Sequence, residues 1–498
     1  MAKTSLKPML AEAGPGAGKT HAMVDEIVNA IQVLPPNRFL AAITYTRAAA
    51  AMIRERLFKR IHPKPNIFVG TTHSFVHRFV LSPYAELLSF FPEDRIYSPI
   101  DVHEKGRGAS KYAENLINKG VVPYDSMITT TREIFKKPGI RDRICGRLAY
   151  VFVDEFQDTD IGMLDIFDHF RKAEKTRLYV VGDPEQYVMS FSYRGQKPPT
   201  FDKIPFFRFK KHSQLSPIIE NYRSNGEIVS FANQFREDVQ QKPIKPFRKE
   251  ARVLFIPARF LEEIVRRYQE LSTGIEIEGN QPVRLYLSEE NATFDSVREK
   301  FQLTPISNEG KKSSTILGDG LELLSASLDR SQRKICEEFG LSGLQWRAIG
   351  IRLVREVRGS QYSIDQFKEL ITSEFGHKIS KSRIKLIEDG LNNLRTVLIG
   401  EVVQQGTELC ASIRKAKGLQ SDAALVVAKG LVELKKWLQI DRSIRLADKQ
   451  DKCRLGYVAF TRPREMLCIA CLKELDAESI QMLQKLGIVI VDGNNLDR

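Results

Sequence analysis

The segment Ala13-Gly14-Pro15-Gly16-Ala17-Gly18-Lys19-Thr20 constrains this chain more than any other. Its glycines let successive backbone N–H groups converge, and such a convergence binds phosphate. Lys19 can reach the β and γ phosphates of a nucleoside triphosphate, Thr20 offers a hydroxyl to Mg²⁺, and a helix opening after Gly18 adds the positive end of its dipole. Such a loop sits between a strand and a helix, which commits the N-terminal region to an α/β fold. The loop alone is a loose pattern, because position 13 is Ala where the generic motif has Gly. A second element narrows the reading. Val151-Phe-Val-Asp154-Glu155 is an apolar run ending in two carboxylates. Asp154 is placed to hold Mg²⁺ with Thr20, and Glu155 to polarise an attacking water. A third run, Val181-Gly-Asp183-Pro-Glu-Gln186, would bring the amide of Gln186 to the same sheet edge, within reach of a γ-phosphate. The expected chemistry is ATP hydrolysis, with ATP and Mg²⁺ as the bound species.

The chain has 498 residues, more than one hydrophobic core usually serves. Apolar runs such as Phe39–Thr44, Ala149–Asp154 and Leu178–Gly182 alternate with helical periodicity, the pattern of a parallel sheet covered on both faces. Residues 80–147 look helical. A turn-rich basic stretch, Gln240–Arg248, precedes a second α/β pattern that starts at Val253-Leu-Phe-Ile and Val283–Leu287. Residues 321–397 are again helical in pattern, and strands return at Leu425–Ala428 and Met466–Ala470. Formal net charge is +14, which favours polyanionic partners. Of six cysteines, only Cys468 and Cys471 have metal-like spacing, and they lie in an apolar strand pattern with no second pair. No stretch approaches the ~18 apolar residues of a membrane span, and no signal-peptide pattern opens the chain. A reducing, cytoplasmic compartment is expected.

Seven motifs occur in one order and resemble those of the UvrD/Rep/PcrA-like superfamily 1 DNA helicases. They are the phosphate loop, Ile43-Thr-Tyr-Thr46-Arg-Ala-Ala, Gly70-Thr-Thr-His73-Ser74-Phe, Val153-Asp-Glu-Phe-Gln157-Asp158, Asn221-Tyr222-Arg223-Ser224, Lys415-Ala-Lys417-Gly418-Leu-Gln420 and Tyr457-Val-Ala-Phe-Thr461-Arg462. The resemblance implies an α/β fold of two RecA-like P-loop NTPase domains, each with a helical insertion. Residues 1–79 and 148–205 would form the first domain, with 80–147 as its insertion. Residues 206–313 and 402–498 would form the second, with 314–401 inserted. It implies catalytic roles for Lys19, Asp154, Glu155, Gln186, Arg223 and Arg462, the two arginines touching the γ-phosphate across a cleft. Tyr222 and His21 would flank the adenine, and Gln420 would meet the ribose. Single-stranded DNA would contact Tyr45, Thr46, Thr71, His73 and Arg414. It would also stack on Phe191 and Tyr193, a contact indifferent to base identity. Movement would run 3′ to 5′.

Some residues depart from the family pattern. No glutamine precedes the loop to read adenine, which leaves the base preference open. Seven residues rather than five separate Gln186 from Arg194, which leaves open which aromatic stacks. Gln420 stands for Glu, and Arg414 for His. The short second insertion and overall size resemble the helicase-like subunit of Gabija-type antiphage systems, with a nuclease subunit as partner. Basic positions Arg347, Arg352, Arg355, Arg358 and 377–385 could hold duplex DNA or that partner, or form a solvated helix face. Two alternatives stay beside the translocase: a nucleic-acid-sensing ATPase that regulates a nuclease, and a small-molecule P-loop enzyme. The residues alone do not separate DNA from RNA.

Overall fold

The computed structural model describes residues 7–62, 64–91, 98–100, 109–190, 197–247, 252–275, 282–306, 316–328, 330, 332–358, 362–380, 383–385, 387–388, 390–391, 394 and 408–491. The chain divides into two compact units, one of Met1–Ile275, Leu285–Phe301 and Cys410–Arg498, the other of Glu276–Arg284 and Gln302–Leu409.

The first unit is α/β and holds two large sheets and two short strand pairs. In the first sheet the strands run in the order Ile67–Thr71, Phe39–Thr44, Leu148–Val153, Arg177–Gly182, Met9–Glu12 and Gln214–Leu215. Every neighbouring pair is parallel. The absence of polar alternation now has its cause. Leu40 and Ala42 face one core with Met23, Ile27, Ile53 and Leu57, while Ala41 and Ile43 face another with Phe75, Phe79, Phe167 and Phe170. Each large side chain so buried contributes roughly 1.5–3 kcal/mol before conformational entropy is counted. Parallel pairing also gathers the strand ends: Glu12, Thr44, Thr71, Val153 and Gly182 all close at the carboxyl edge, where ligands of such sheets bind.

Two expectations need amendment here. The first sheet does not end its recruitment near residue 205, because Gln214–Leu215 pairs with Met9–Leu10 and Ile218 bridges Ala13. The preceding helix Pro205–Lys210 buries Phe206 and Phe209 against Phe156. The stretch 80–147 is not purely helical. Beside helices Met127–Phe135 and Pro138–Arg147 it holds a parallel pair, Ser98–Ile100 with Val121–Pro123. Strands of three residues are too short to leave a periodicity.

The second sheet orders Glu408–Ser412, Arg284–Ser288, Ser421–Ala428, Pro463–Cys471, Val253–Ile256 and Val489–Ile490. Its central strand Ser421–Ala428 is buried throughout and runs parallel to Pro463–Cys471. Cys468 and Cys471 lie in that second strand, buried and unbridged. Residues three apart on a strand point to opposite faces, so the two sulfurs cannot share an ion. No metal-holding cluster occurs among the described residues.

The second unit is mainly helical. Helices Ile316–Leu328, Gly343–Arg358 and Ile364–Phe375 enclose Leu324, Trp346, Leu353, Phe367 and Ile371. Ser363 and Gln366 form a reciprocal capping box at the start of the last helix. Its span is wider than 314–401, since it takes in Glu276–Arg284 and the ion pair of Arg284 with Glu408 at 2.8 Å. Among the basic positions, Arg352 is paired with Glu374. No helix of the described residues is long and apolar enough to cross a membrane.

Candidate nucleotide site

The loop Ala13–Thr20 leaves strand Met9–Glu12 and enters helix Lys19–Gln32. The Ala13 N–H donates to Gly182 O at 3.0 Å, which ties the loop to the strand that leads to Gln186. Gly16 has φ +80°, and a Cβ there would lie 2.6 Å from the Cβ of Arg223, so the turn and the close approach both demand glycine. Lys19 Nζ donates to Ala13 O and Gly14 O at 3.5 and 3.4 Å. Its ammonium is thus held over the loop mouth.

The paired carboxylates stand beside it. Thr20 Oγ1 donates to Asp154 Oδ2 at 3.0 Å. The Glu155 backbone takes φ +52°, unusual for a residue with a side chain, and its N–H donates to Asp154 Oδ1 at 2.9 Å. Gln157 Nε2 donates to Glu155 Oε2 at 2.5 Å, and Gln157 Oε1 accepts from Asp183 N at 3.0 Å. Burial, then the neighbouring Glu155 charge, raises the Asp154 carboxyl. Burial would raise Glu155 too, but Lys19 and Lys417 outweigh it and hold Glu155 below the usual range. A carboxylate beside a hydroxyl is a pair of hard oxygen donors, a set that suits Mg²⁺.

From the second-sheet side come two guanidinium groups, that of Arg462 buried and that of Arg223 half-buried. Arg462 follows helix Lys452–Phe460 and donates from Nη2 to Gln186 Oε1 at 3.3 Å, while its Nε holds Val458 O at 2.7 Å. Arg223 donates from Nη1 to Thr461 O at 3.2 Å. Burial lowers both groups, Arg223 to about 9 and Arg462 to about 10, and in Arg223 the repulsion of Arg462 adds to the effect. Both remain charged at neutral pH. Two like charges held against carbonyl and amide oxygens form a strong set of donors for an anion.

Sequence reasoning missed a hub behind these groups. Asp183 is fully buried and accepts from Arg236 Nη1 at 2.7 Å, Gln186 Nε2 at 3.0 Å and Tyr457 OH at 3.3 Å. Lys417 pairs with Asp158 at 2.6 Å. Asp158 and Lys417 stood inside recognised motifs, and Asp183 directly followed an apolar strand. Arg236 carried no local signal, because its partner lies 53 residues away in sequence.

The remaining expected positions scatter around the site. Tyr222 and the His21 side chain are exposed at 59% and 72%, His21 lying 3.9 Å from Asp25. Gln420 is also exposed. Of the expected DNA contacts, Tyr45 OH bonds Thr159 Oγ1 at 2.6 Å. Thr46 and Thr71 cap helices Arg47–Phe58 and Thr72–Val76. His73 stacks on Tyr124, with centroids 4.0 Å apart. Arg414 turns to protein acceptors, donating to Val188 O and lying 4.0 Å from Asp451. Phe191 and Tyr193 lie outside the described residues.

The phosphate loop, its paired carboxylates and the parallel sheet form a phosphate-binding α/β arrangement, and the family described as an AAA domain matches residues 2–192. Closer likenesses fall on a narrower group. The chain is 27% identical over 242 residues to the Gabija protein GajB of Bacillus cereus (strain VD045), covering 47% of each chain. It is 24% identical over 281 residues to the ATP-dependent DNA helicase Rep of Escherichia coli (strain K12), covering 45% of this chain and 40% of Rep. It is 23% identical over 282 residues to DNA helicase II of Salmonella typhimurium, covering 46% and 38%. The matches thus span about half the length of these curated relatives or less. Over the matched half, the chain is similar to the UvrD/Rep-like superfamily 1 helicases.

Proposed function

We propose that the chain is an ATP-dependent DNA translocase of the helicase type, moving 3′ to 5′ on single-stranded DNA, and that its two sheets are RecA-like lobes facing one ATP site. The observation that carries this reading is the pair Arg223 and Arg462: Arg462 reaches Gln186, and Arg223, which bonds the neighbouring Thr461 carbonyl, packs against Gly16 of the phosphate loop. A small-molecule kinase has no need of a second half-site. A translocase does, because hydrolysis then depends on cleft closure and can be coupled to stepping.

In this reading Lys19 and the loop amides bind the β and γ phosphates, Glu155 accepts the proton of the attacking water, and Arg223 and Arg462 stabilise the charge that develops on the transferred phosphoryl group. Gln157 orients Glu155 by its 2.5 Å bond. Thr20 and Asp154 would hold Mg²⁺, which when bound neutralises phosphate charge. The strand ends bearing Tyr45, Thr46 and Thr71 supply the track for DNA. Similarity to a protein named Gabija supports a second reading, in which this ATPase senses nucleic acid and controls a partner nuclease in phage defence.

The test is the ATPase rate with single-stranded DNA, duplex DNA, single-stranded RNA and no polymer. Stimulation by single-stranded DNA is expected, and equal rates in all four would sink the proposal. Strand displacement on a duplex with a 3′ tail separates the two readings: a chain that hydrolyses ATP on DNA without unwinding, and co-purifies with a nuclease, fits the second.

A further inference from the structure

Gln241 lies in none of the motifs, yet its side chain packs directly on the phosphate loop. It is 5% exposed, and a Cβ added to Gly14 would lie 2.3–2.7 Å from its amide atoms. Its Nε2 donates to Pro15 O at 3.2 Å. Its Oε1 accepts from Asn221 Nδ2 at 3.2 Å, and that same Nδ2 donates to Pro15 O at 2.8 Å. The other end of the Asn221 amide accepts from the backbone N–H groups of Arg223 and Ser224 at 2.9 and 3.1 Å. Tyr222 N donates to Gly16 O at 3.0 Å. Gln241 is itself fixed at both backbone groups by Asn233, its N–H to Oδ1 at 2.9 Å and its carbonyl from Nδ2 at 2.8 Å.

The chain of bonds has a direction. An amide can be turned either way, and its neighbours decide which end accepts. Gln241 Oε1 and Pro15 O both require a donor from Asn221. Oδ1 is therefore left to face the Arg223 backbone. Lys242–Pro243 pairs in parallel with Glu220–Asn221, which keeps Gln241 in step with Asn221.

We infer that Gln241 is a positioning residue for ATP hydrolysis, which orients Asn221 and so seats Arg223 over the phosphate loop. The inference rests on the ATPase reading above. Gln241 touches no substrate in this scheme; it acts on the rate through Arg223 and leaves phosphate binding to Lys19 and the loop amides.

The experiment compares full-length wild type with Gln241→Met and Gln241→Glu. The first keeps the bulk over Gly14 without hydrogen bonds. The second keeps acceptors for Asn221 but sets a carboxylate against Pro15 O. Each protein is assayed for kcat and KM on single-stranded DNA, for affinity towards a fluorescent ATP analogue, and for melting temperature. Gln241→Met is expected to lower kcat by about tenfold to a hundredfold, as misplacing a catalytic group does, with analogue affinity within about twofold of wild type. Combined with Asn221→Ala it should cost no more than Asn221→Ala alone, since both act through one path. Should one variant fail to fold, the other decides. An unchanged kcat in a folded variant, equal losses in affinity and kcat, or additive losses in the double variant would overturn the inference. A wild-type chain without DNA-stimulated ATPase would instead overturn the parent reading.

Discussion

Arg462 reaches Gln186 across 3.3 Å, and this bond joins the turn before strand Pro463–Cys471 to the loop leaving strand Arg177–Gly182. A neutral amide is a weak partner for a buried guanidinium. A phosphate oxygen is a stronger one, since charge-assisted hydrogen bonds are roughly twice as strong as neutral ones. Arg462→Ala or Arg223→Ala should therefore lower kcat by about 10³-fold or more while nucleotide affinity changes far less. Arg462→Lys should recover only part of the loss, because an ammonium cannot reproduce the planar fork. Steady-state ATPase on single-stranded DNA, set beside equilibrium binding of an ATP analogue, measures both quantities.

Glu155 presents a separate test. Lys19 and Lys417 hold it ionised, and Gln157 fixes one of its oxygens. Glu155→Gln keeps the shape and removes the base, so ATP should bind while hydrolysis falls by about 10²–10⁴-fold. Gln157→Ala should give a smaller loss, with the base retained but free to turn. Single-turnover hydrolysis reads the chemical step directly. A Glu155→Gln protein that still turned over at the wild-type rate would remove Glu155 from the mechanism.

Whatever depends on residues close in sequence was legible beforehand. The loop Ala13–Thr20, the strand ending at Asp154 and Glu155, and the apolar runs of both sheets declare themselves through local pattern. What escaped notice depends on chain return. Gln241 meets Pro15 across 226 positions, and Arg236 meets Asp183 across 53. No spacing rule reaches so far. Arg414 illustrates the converse. Its charge suggested a phosphate contact, but the fold places carbonyl and carboxylate acceptors beside it first. The strand Gln214–Leu215 was missed because both residues are exposed and too few to set a period.

The two cysteines at metal-like spacing yield a prediction about metal removal. Cys468 and Cys471 lie in strand Pro463–Cys471 against Leu425, Leu254 and Ala428. Burial pushes the thiols of both up, away from the thiolate a zinc site needs. Chelator treatment without nucleotide should leave the melting temperature unchanged, and elemental analysis should find no zinc. Cys468→Ala should instead lower stability through packing alone, by about 1 kcal/mol for a small buried group.

The Asp183–Arg236 pair is a fully buried ion pair, with side chains 0% and 2% exposed. Removing one partner strands the other charge, which typically costs about 3–5 kcal/mol. Asp183→Asn should approach the lower part of that range, since the amide can still accept from Arg236. Arg236→Met should approach the upper part, leaving Asp183 with the neutral donors of Gln186, Tyr457 and the Glu185 backbone. The pH dependence has a definite sign. Burial would raise Asp183, but Arg236 outweighs it and holds the carboxyl below its ordinary value. The folded state thus favours the ionised form, and its stabilisation is complete above the unfolded value of about 3.9. It is lost only as pH falls through the lower, folded value. The stability gap between wild type and Asp183→Asn, measured by denaturant titration, should stay level from about pH 8 to pH 5 and narrow below about pH 4. A gap that closed between pH 7 and pH 5 would mean that Asp183 binds a proton in the folded protein and that the ion pair does not hold the two sheets together.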